Sequence, residues 1–426
     1  MGLDLKPLKD GDTVCIVGGG PGGASCAIAL KRLAAEQGRD VRVAIFEQKK
    51  FAENRQFNQC IGVLSPPLEE ILANNFGLEL PRELIVKEIK GYRLHSDGMS
   101  LDLAGHESGK TYAVHRSHFD AFMLAQAEKA GATVIHNRAT GVEISGEDVL
   151  LYSEGENVRA SAVVGAFGMD EGACKLFEWS TPYRQPDFLN TIITRLYPGE
   201  EFLREIGPII QAFLLSFRGL EFGAVTPKLD HLSINIAGRR VSARVMLEFL
   251  RSEPVQRFLP PHQRRENPLH YFKGKFPIAP ARNLCGDRYV MVGDAAGLIR
   301  PFKGKGINSA CLTGLFAARC IMNAGVSRRA FERFYLQDCR VFTDDLVYGR
   351  VLRALTNLST RFKFMDPILK IAEKDPVFMD CLFNCVSAHK TYKEIFRQTA
   401  SLSLGLSFAR EFFNHFIFRQ DVKAGA

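Results

Sequence analysis

The sequence predicts an α/β fold, α+β overall. It reads as a Rossmann-like nucleotide-binding unit, a mostly antiparallel sheet carrying a helix, and a C-terminal helical region. Three observations predict it. A glycine-rich turn sits between an apolar strand and a small-residue helix within residues 12–47. A second strand ends in Gly293-Asp294, 275 residues after Gly18. Strand patterns dominate residues 187–274, and from residue 327 onward the pattern is helical. The 426-residue chain is 46% apolar and 24% charged, which are globular values and exclude a disordered or collagen-like chain. Its length suits two or three folding units of roughly 100–200 residues.

Thr13-Val14-Cys15-Ile16-Val17 is a short apolar run, as a buried parallel strand requires. Gly18 to Gly23 follow, then the helical pattern ASCAIALKRLAAEQG and a second strand, Val41 to Phe46, ending at Glu47. This is G-x-G-x-x-G in its full strand–loop–helix–strand–acid setting. Gly18 permits the tight turn, Gly20 admits a pyrophosphate close to the backbone, and Gly23 lets helix and strand approach. Pro21 and Gly22 complete the helix start, whose unpaired N–H groups favour phosphate. Glu47 is placed to bond ribose hydroxyls.

Leu84 to Ile89, Tyr92 to His95 and Met99 to Leu103 read as strands outside the nucleotide-binding core. Tyr112 to His115 is a strand ending at Arg116, and residues 117–130 form a helix closed by Gly131. Thr133 to His136, Val149 to Tyr152 and Ala162 to Ala166 are further strands. The antiparallel region carries Asn190 to Leu196, Ala212 to Phe217, Phe222 to Val225 and Leu232 to Ile236, with a helix at Ser242 to Arg251. Tyr289 to Val292 is a buried strand, and a helix follows from about Gly306 to Ala324.

Gly293-Asp294-Ala295-Ala296-Gly297 and the loop Pro301 to Asn308 form the second motif. Asp294 is suited to accept a hydrogen bond from a ribityl hydroxyl. The helix that starts after Gly306 would aim its positive end at the pyrimidine side of a flavin and stabilise charge on the reduced ring. Together the two motifs resemble the flavoprotein superfamily of p-hydroxybenzoate hydroxylase, flavin-dependent halogenases and geranylgeranyl reductases, over residues 12 to about 330. The resemblance implies FAD as cofactor and a Rossmann-like FAD-binding domain with an inserted substrate-binding sheet. On that basis residues 1–75, 104–175 and 276–330 form the FAD-binding domain, 76–103 and 176–275 the sheet domain, and 331–426 the C-terminal helical domain. The implied cofactor contacts are Gly18, Gly20, Pro21, Gly22, Gly23, Glu47, Arg116, Gly293, Asp294, Gly304, Gly306 and Ile307. Arg55, just before the Cys60 loop, is a further candidate for a flavin or phosphate contact.

Within the superfamily the chain is most similar to the geranylgeranyl reductases. Gln59-Cys60-Ile61-Gly62-Val63-Leu64-Ser65-Pro66 resembles their Cys-Gly-Gly-Gly-Leu-Ser-Pro segment. Pro301 to Ile307 resembles their Pro-x-x-Gly-x-Gly-Ile loop. Phe222-Gly223-Ala224-Val225-Thr226-Pro227-Lys228, with Asp230-His231, resembles their Tyr-Gly-Trp-x-Phe-Pro-Lys and Gly-Asp-His run. Phe222, Ala224, Thr226 and Pro227 are thus the implied substrate contacts, and their departures from the family aromatics imply a remodelled pocket. The superfamily's Ala-Asp-Gly is Ala166-Phe167-Gly168 here, which weakens direct handling of NAD(P)H and favours a protein donor such as a ferredoxin.

The expected activity is an FAD-dependent reductase that saturates C=C bonds of an isoprenoid or other apolar substrate by hydride transfer from flavin N5. Cys60 is the expected catalytic residue, as proton donor or shield, set against the plainer reading of one small thiol among ten. The alternatives are a flavin-dependent monooxygenase and a flavin-binding protein without turnover. Lys228 and His231 read as surface loop residues. Lys303 and Lys305 either bind an anionic head group or coat a loop.

Lys and Arg number 55 and Asp and Glu 47, a mild net +8 that fits anionic substrates or membrane surfaces and forms no nucleic-acid patch. Even the densest run, HQRRE at 262–266, reads as a solvated loop. The ten Cys show no zinc spacing; Cys381 and Cys385 read as two buried thiols, and no metal is expected. No secretory or myristoylation signal and no membrane span are expected, since position 6 is Lys6 and no apolar run reaches about 18 residues. Scattered cysteines fit a reducing compartment, the cytoplasm. Residues 331–426 hold 13 of the 32 Phe. They read either as a helical cap over a substrate channel or as an amphipathic surface that gives peripheral membrane contact.

Overall fold

The computed structural model describes residues 5–51, 60–103, 110–261, 270–300, 306–387 and 390–399. Thr13–Val17 lies in the interior of a six-stranded sheet ordered Cys285–Gly286, Tyr289–Met291, Ala162–Gly165, Thr13–Val17, Arg42–Phe46, Thr133–Ile135. Its neighbours are parallel except at the Cys285–Gly286 edge. Buried on both faces, these strands read as continuous apolar runs, and residues 14–17 are all buried.

The helix Pro21–Glu36 carries Gly22, Gly23, Ala24, Ser25, Cys26 and Ala27 in its first two turns, all buried. Small residues let the helix Ile307–Asn323 press against it. A Cβ at Gly314 would lie 2.4 Å from the Gly22 carbonyl oxygen, so the two backbones meet there. This contact fixes the two glycine motifs relative to each other.

A seven-stranded sheet is ordered Phe272–Pro277, Phe188–Leu196, Leu232–Gly238, Phe222–Pro227, Ile209–Phe213, Gly91–His95, Ser100–Leu103. Its pairs are antiparallel, save Ile209–Phe213 with Gly91–His95. The helix Ala243–Arg251, capped by Ser242, packs Met246 and Phe249 against one face. Ile85–Ile89 does not join this sheet; it pairs with Thr111–Val114, which also pairs with Val63–Leu64.

Several elements escaped the sequence reading. Ala139–Ile144 buries only Ala139 and Val142, three apart, so it lacks the period-two alternation of a half-buried strand. Val158–Ala160 is three residues long. The helices Glu171–Ser180 and Glu200–Ile206 also lie outside the elements expected from sequence, although Asp170 caps the first by accepting the Ala173 N–H at 2.9 Å.

The C-terminal helices Arg340–Arg361, Met365–Lys374, Pro376–Ser387 and Tyr392–Thr399 follow the helical pattern. Leu369, Phe378, Phe383 and Tyr392 join Tyr92, Leu94 and Leu101 of the large sheet in one apolar cluster. Cys381 and Cys385 are both buried there. Among the described residues, no helix is long and apolar enough to cross a membrane.

Candidate active site

A cavity of about 1260 Å3 lies between the six-stranded sheet, the seven-stranded sheet and the C-terminal helices. It exceeds the ~300–1,000 Å3 of an ordinary ligand pocket, which leaves room for a dinucleotide and a second molecule.

The glycine turn forms one wall. Gly18 has φ +108°, and a Cβ there would lie 2.4 Å from the Ala166 carbonyl oxygen. A Cβ at Gly23 would lie 1.9 Å from the Gly18 carbonyl oxygen. Both glycines are therefore demanded by the protein itself. Gly20 differs, because a Cβ there meets nothing within 4 Å and its open side faces the cavity. The Gly19 N–H donates to Glu47 Oε2 at 2.8 Å and the Lys49 N–H to Oε1 at 2.9 Å, which fixes the carboxylate at the cavity wall.

Arg116 begins the helix Arg116–Lys129 and donates from Nε to Asp120 Oδ1 at 2.7 Å. Burial opposes its charge, but Asp120, Cys60 and Asp294 together hold the guanidinium protonated. Its Nη1 lies 3.8 Å from Cys60 Sγ, which also accepts the Gly62 N–H at 3.4 Å. Cys60 opens into the cavity and is exposed, whereas the other nine cysteines are buried. Burial pushes the Asp294 carboxyl up, with Arg116 opposing. Gly306 makes room for that carboxyl, since a Cβ would lie 2.7 Å from Asp294 Oδ1. The Gly293 N–H donates to Thr313 Oγ1 at 2.9 Å, anchoring the loop to the helix.

The cavity thus brings together Gly18, Gly20, Pro21, Gly22, Glu47, Cys60, Arg116, Gly293, Asp294, Gly306, Ile307, Phe222, Ala224 and Thr226. Gly23 and Pro227 do not line it. Arg55, Lys303, Gly304, Lys305, residues 262–266 and the last five phenylalanines lie outside the described residues. Phe167 is buried, lies tilted against Phe177 with ring centroids 5.2 Å apart, and reaches the cavity. Trp179 is 78% exposed and does not line the cavity.

Contrary to the expectation from sequence, neither Lys228 nor His231 is a surface loop residue. They are 2% and 3% exposed, and the turn between them exposes only Leu229 and Asp230. Lys228 Nζ donates to the carbonyls of Gly62 at 2.9 Å and Val114 at 3.0 Å. Burial lowers its amine to about 8, with Cys60 opposing. His231 bonds Asp230 and Ser233, and burial likewise lowers its imidazole. The signal was the alternation itself. Phe222, Ala224 and Thr226 share one sheet face, and Lys228 is the next residue on that face.

The same register identifies Asn235. It pairs directly with Ala224, is 5% exposed and lines the cavity. Among the described residues its Oδ1 has no hydrogen-bond partner. Tyr92 also lines the cavity, and burial pushes its phenol up to about 12, against hydrogen bonds with Thr111 and Ser65, so it stays protonated. Asn308 Nδ2 donates to the carbonyls of Ser65 and Pro66 at 3.2 and 3.1 Å, which ties the helix Ile307–Asn323 to the Cys60 segment.

No family model matches the chain. The digeranylgeranylglycerophospholipid reductase of Methanothrix thermoacetophila is 28% identical over 338 residues, covering 73% of this chain and 78% of that protein. Digeranylgeranylglycerophospholipid reductase 1 of Methanothermobacter thermautotrophicus is 26% identical over 425 residues, covering 93% and 98%. The solved geranylgeranyl bacteriochlorophyll reductase-like protein of Thermoplasma acidophilum has a TM-score of 0.68 at 21% identity, covering 92% of this chain and 96% of that one. A point mutant of the halogenase PltM, solved in complex with FAD, has a TM-score of 0.61 at 13% identity, covering 90% of this chain and 85% of that one. The fold is that of Rossmann-type flavoproteins, and in sequence this chain is similar to the geranylgeranyl reductases.

Proposed function

We propose that this chain is an FAD-dependent reductase that saturates carbon–carbon double bonds of an isoprenoid or similarly apolar lipid substrate. One observation carries the reading: a single cavity is lined by the glycine cradle, by Cys60 and by the strand Phe222–Pro227. The residues fit the cofactor. Gly20 leaves an open approach at a helix N-terminus, and Asp294 sits in a cradle that a Cβ at Gly306 would fill. Gly18, Gly20, Pro21 and Gly22 would hold the pyrophosphate, Glu47 a ribose, and Asp294 the ribityl chain. Bound FAD supplies hydride chemistry, and the protein's task is orientation and the exclusion of water and oxygen.

Arg116 places a permanent positive charge beside Cys60 and Asp294. Cys60 is the group at the cavity wall best placed to hold a transferable proton, and Tyr92 stays protonated as a second donor. The strand Phe222–Pro227 presents a flatter floor than the family aromatics would, because Ala224 and Thr226 are short. The electron donor is a nicotinamide nucleotide or a ferredoxin-like protein; Phe167 in place of an Asp favours the protein.

Anaerobic photoreduction of the holoprotein tests the reading. Addition of a geranylgeranyl lipid should reoxidise the flavin without oxygen and yield a product heavier by two hydrogens per bond. Reoxidation by oxygen alone, with a hydroxylated product, would overturn it in favour of a monooxygenase.

A further inference from the structure

The helix Arg340–Arg361 carries apolar side chains on two faces. Its inward face buries Leu346, packs Phe342, Tyr348 and Leu352 against the core, and also holds an ion pair. Arg353 Nε and Nη2 donate to Glu221 at 2.8 and 2.6 Å, and Asn357 Nδ2 donates to the same carboxylate at 3.0 Å. Both members of the ion pair are only 15% exposed. Its outward face is apolar: Val347, Val351, Leu355, Leu358 and the following Phe362 are 43–54% exposed, and Ala354 lies exposed among them. At 3.6 residues per turn these six fall within an arc of about 100°. A helix packed only for its own core would carry one apolar stripe inward and a polar face outward.

The border of the arc chooses its partner. Arg350 and Arg361 lie along one edge, Lys363 follows, and all three are exposed. One exposed acid, Asp344, sits at the N-terminal end. The same helix continues into the candidate site, since Val341, Phe342, Asp345 and Leu346 line the cavity. An apolar arc with a cationic edge matches the boundary between acyl chains and anionic head groups. A protein core or a neutral apolar partner would not call for the arginines.

We propose that this helix face docks on an anionic phospholipid bilayer, with the apolar arc at the acyl boundary and Arg350, Arg361 and Lys363 at the head groups. The inference rests on the lipid-substrate reading, because it places the cavity wall against the phase that holds such a substrate. It also extends that reading by assigning a surface.

The test uses full-length holoprotein and vesicles of phosphatidylcholine mixed with phosphatidylglycerol. The wild-type chain should co-sediment with them, and Val351→Glu/Leu355→Glu should bind about tenfold more weakly or worse. Arg350→Gln/Arg361→Gln should lose preference for the anionic vesicles, and salt should weaken wild-type binding in the same way. Flavin content and flavin reoxidation by a short water-soluble prenyl alcohol should be unchanged in both variants. Equal binding of wild type and both variants, or no wild-type binding, overturns the proposal. A glutamate variant that turns a dimer into a monomer without vesicle binding assigns the face to a second copy and also overturns it. A glutamate variant that melts early, with full vesicle binding by the arginine variant, gives the arc to the chain's own interior and does the same. Vesicle binding without reoxidation by any alkene leaves the docking face standing and removes only the reductase reading.

Discussion

The two walls of the cavity obey different rules. On the cofactor wall, each glycine has a stated geometric reason, and local chemistry fixes both position and role. Gly18 and Gly23 have no room for a side chain, while Gly20 has room that only a ligand would use. On the sheet wall, Phe222, Ala224, Thr226 and Asn235 are placed by register alone. No local constraint tells what they touch. A dinucleotide site is built into backbone conformation, which sequence records as glycine and proline. A pocket floor is built from side chains whose partners are distant in the chain, which sequence records only as alternation.

The largest test of this contrast compares two glycines. Gly23→Ala drives a Cβ into the Gly18 carbonyl and should cost about 3 kcal/mol of stability. Gly20→Val keeps an extended backbone at φ −68° and should cost only about 1 kcal/mol, as a weaker helix cap. Both should lose bound flavin. Thermal melting of the apoproteins beside flavin absorbance separates the two causes. Equal destabilisation would break the distinction between a packing glycine and a ligand glycine.

Lys228 joins the walls, and its test is intermediate in size. An unfolded lysine titrates near 10.5, and this one titrates at about 8. The unfolded chain therefore binds the extra proton between those values. Stability of the wild type should rise with pH through that window, by about 3 kcal/mol at most relative to Lys228→Met. Below pH 8 the full cost of the buried charge is present. Denaturant melts of both chains at pH 7.5 and pH 10 read the difference, and a pH-independent gap would show that the amine is not desolvated. Activity should also bend near pH 8 in the wild type and lose that limb in Lys228→Met and in Lys228→Arg, whose guanidinium stays charged throughout.

The smallest effect is expected at Asn235. Its unpartnered Oδ1 faces an apolar occupant under the proposed function, so Asn235→Leu should raise stability by about 1 kcal/mol. The KM for an isoprenoid alkene should stay within about twofold, since a leucine fits the same apolar surface. A tenfold rise in KM would reveal a polar group on the substrate at that point and sharpen what the floor recognises.

The legibility of the chain follows the same division. The parallel strands, the glycine helix and the Asp294 loop were readable because burial on both faces and tight turns leave strong local marks. Ala139–Ile144 was not, because its buried positions are three apart. Lys228 and His231 were misjudged because charge and a neighbouring turn argue for solvent. What holds Lys228 inside is a carbonyl pair on residues 62 and 114, more than a hundred positions upstream, while His231 is held by Asp230 and Ser233. The Cys60 segment was readable as a motif, but its place beside Arg116 depends on a helix start 56 residues away. The phenylalanine surplus foretold a C-terminal apolar wall, yet composition could not show that the Arg340–Arg361 helix also carries an apolar arc outward.

The bond from Lys228 to Gly62 and Val114 has a mechanical consequence. It rivets the turn of the large sheet to the backbone carrying Cys60 and to the strand leading into Arg116. While the rivet holds, the thiol, the guanidinium and the sheet floor keep one register. The opposite wall, built by the C-terminal helices, lies beyond its reach.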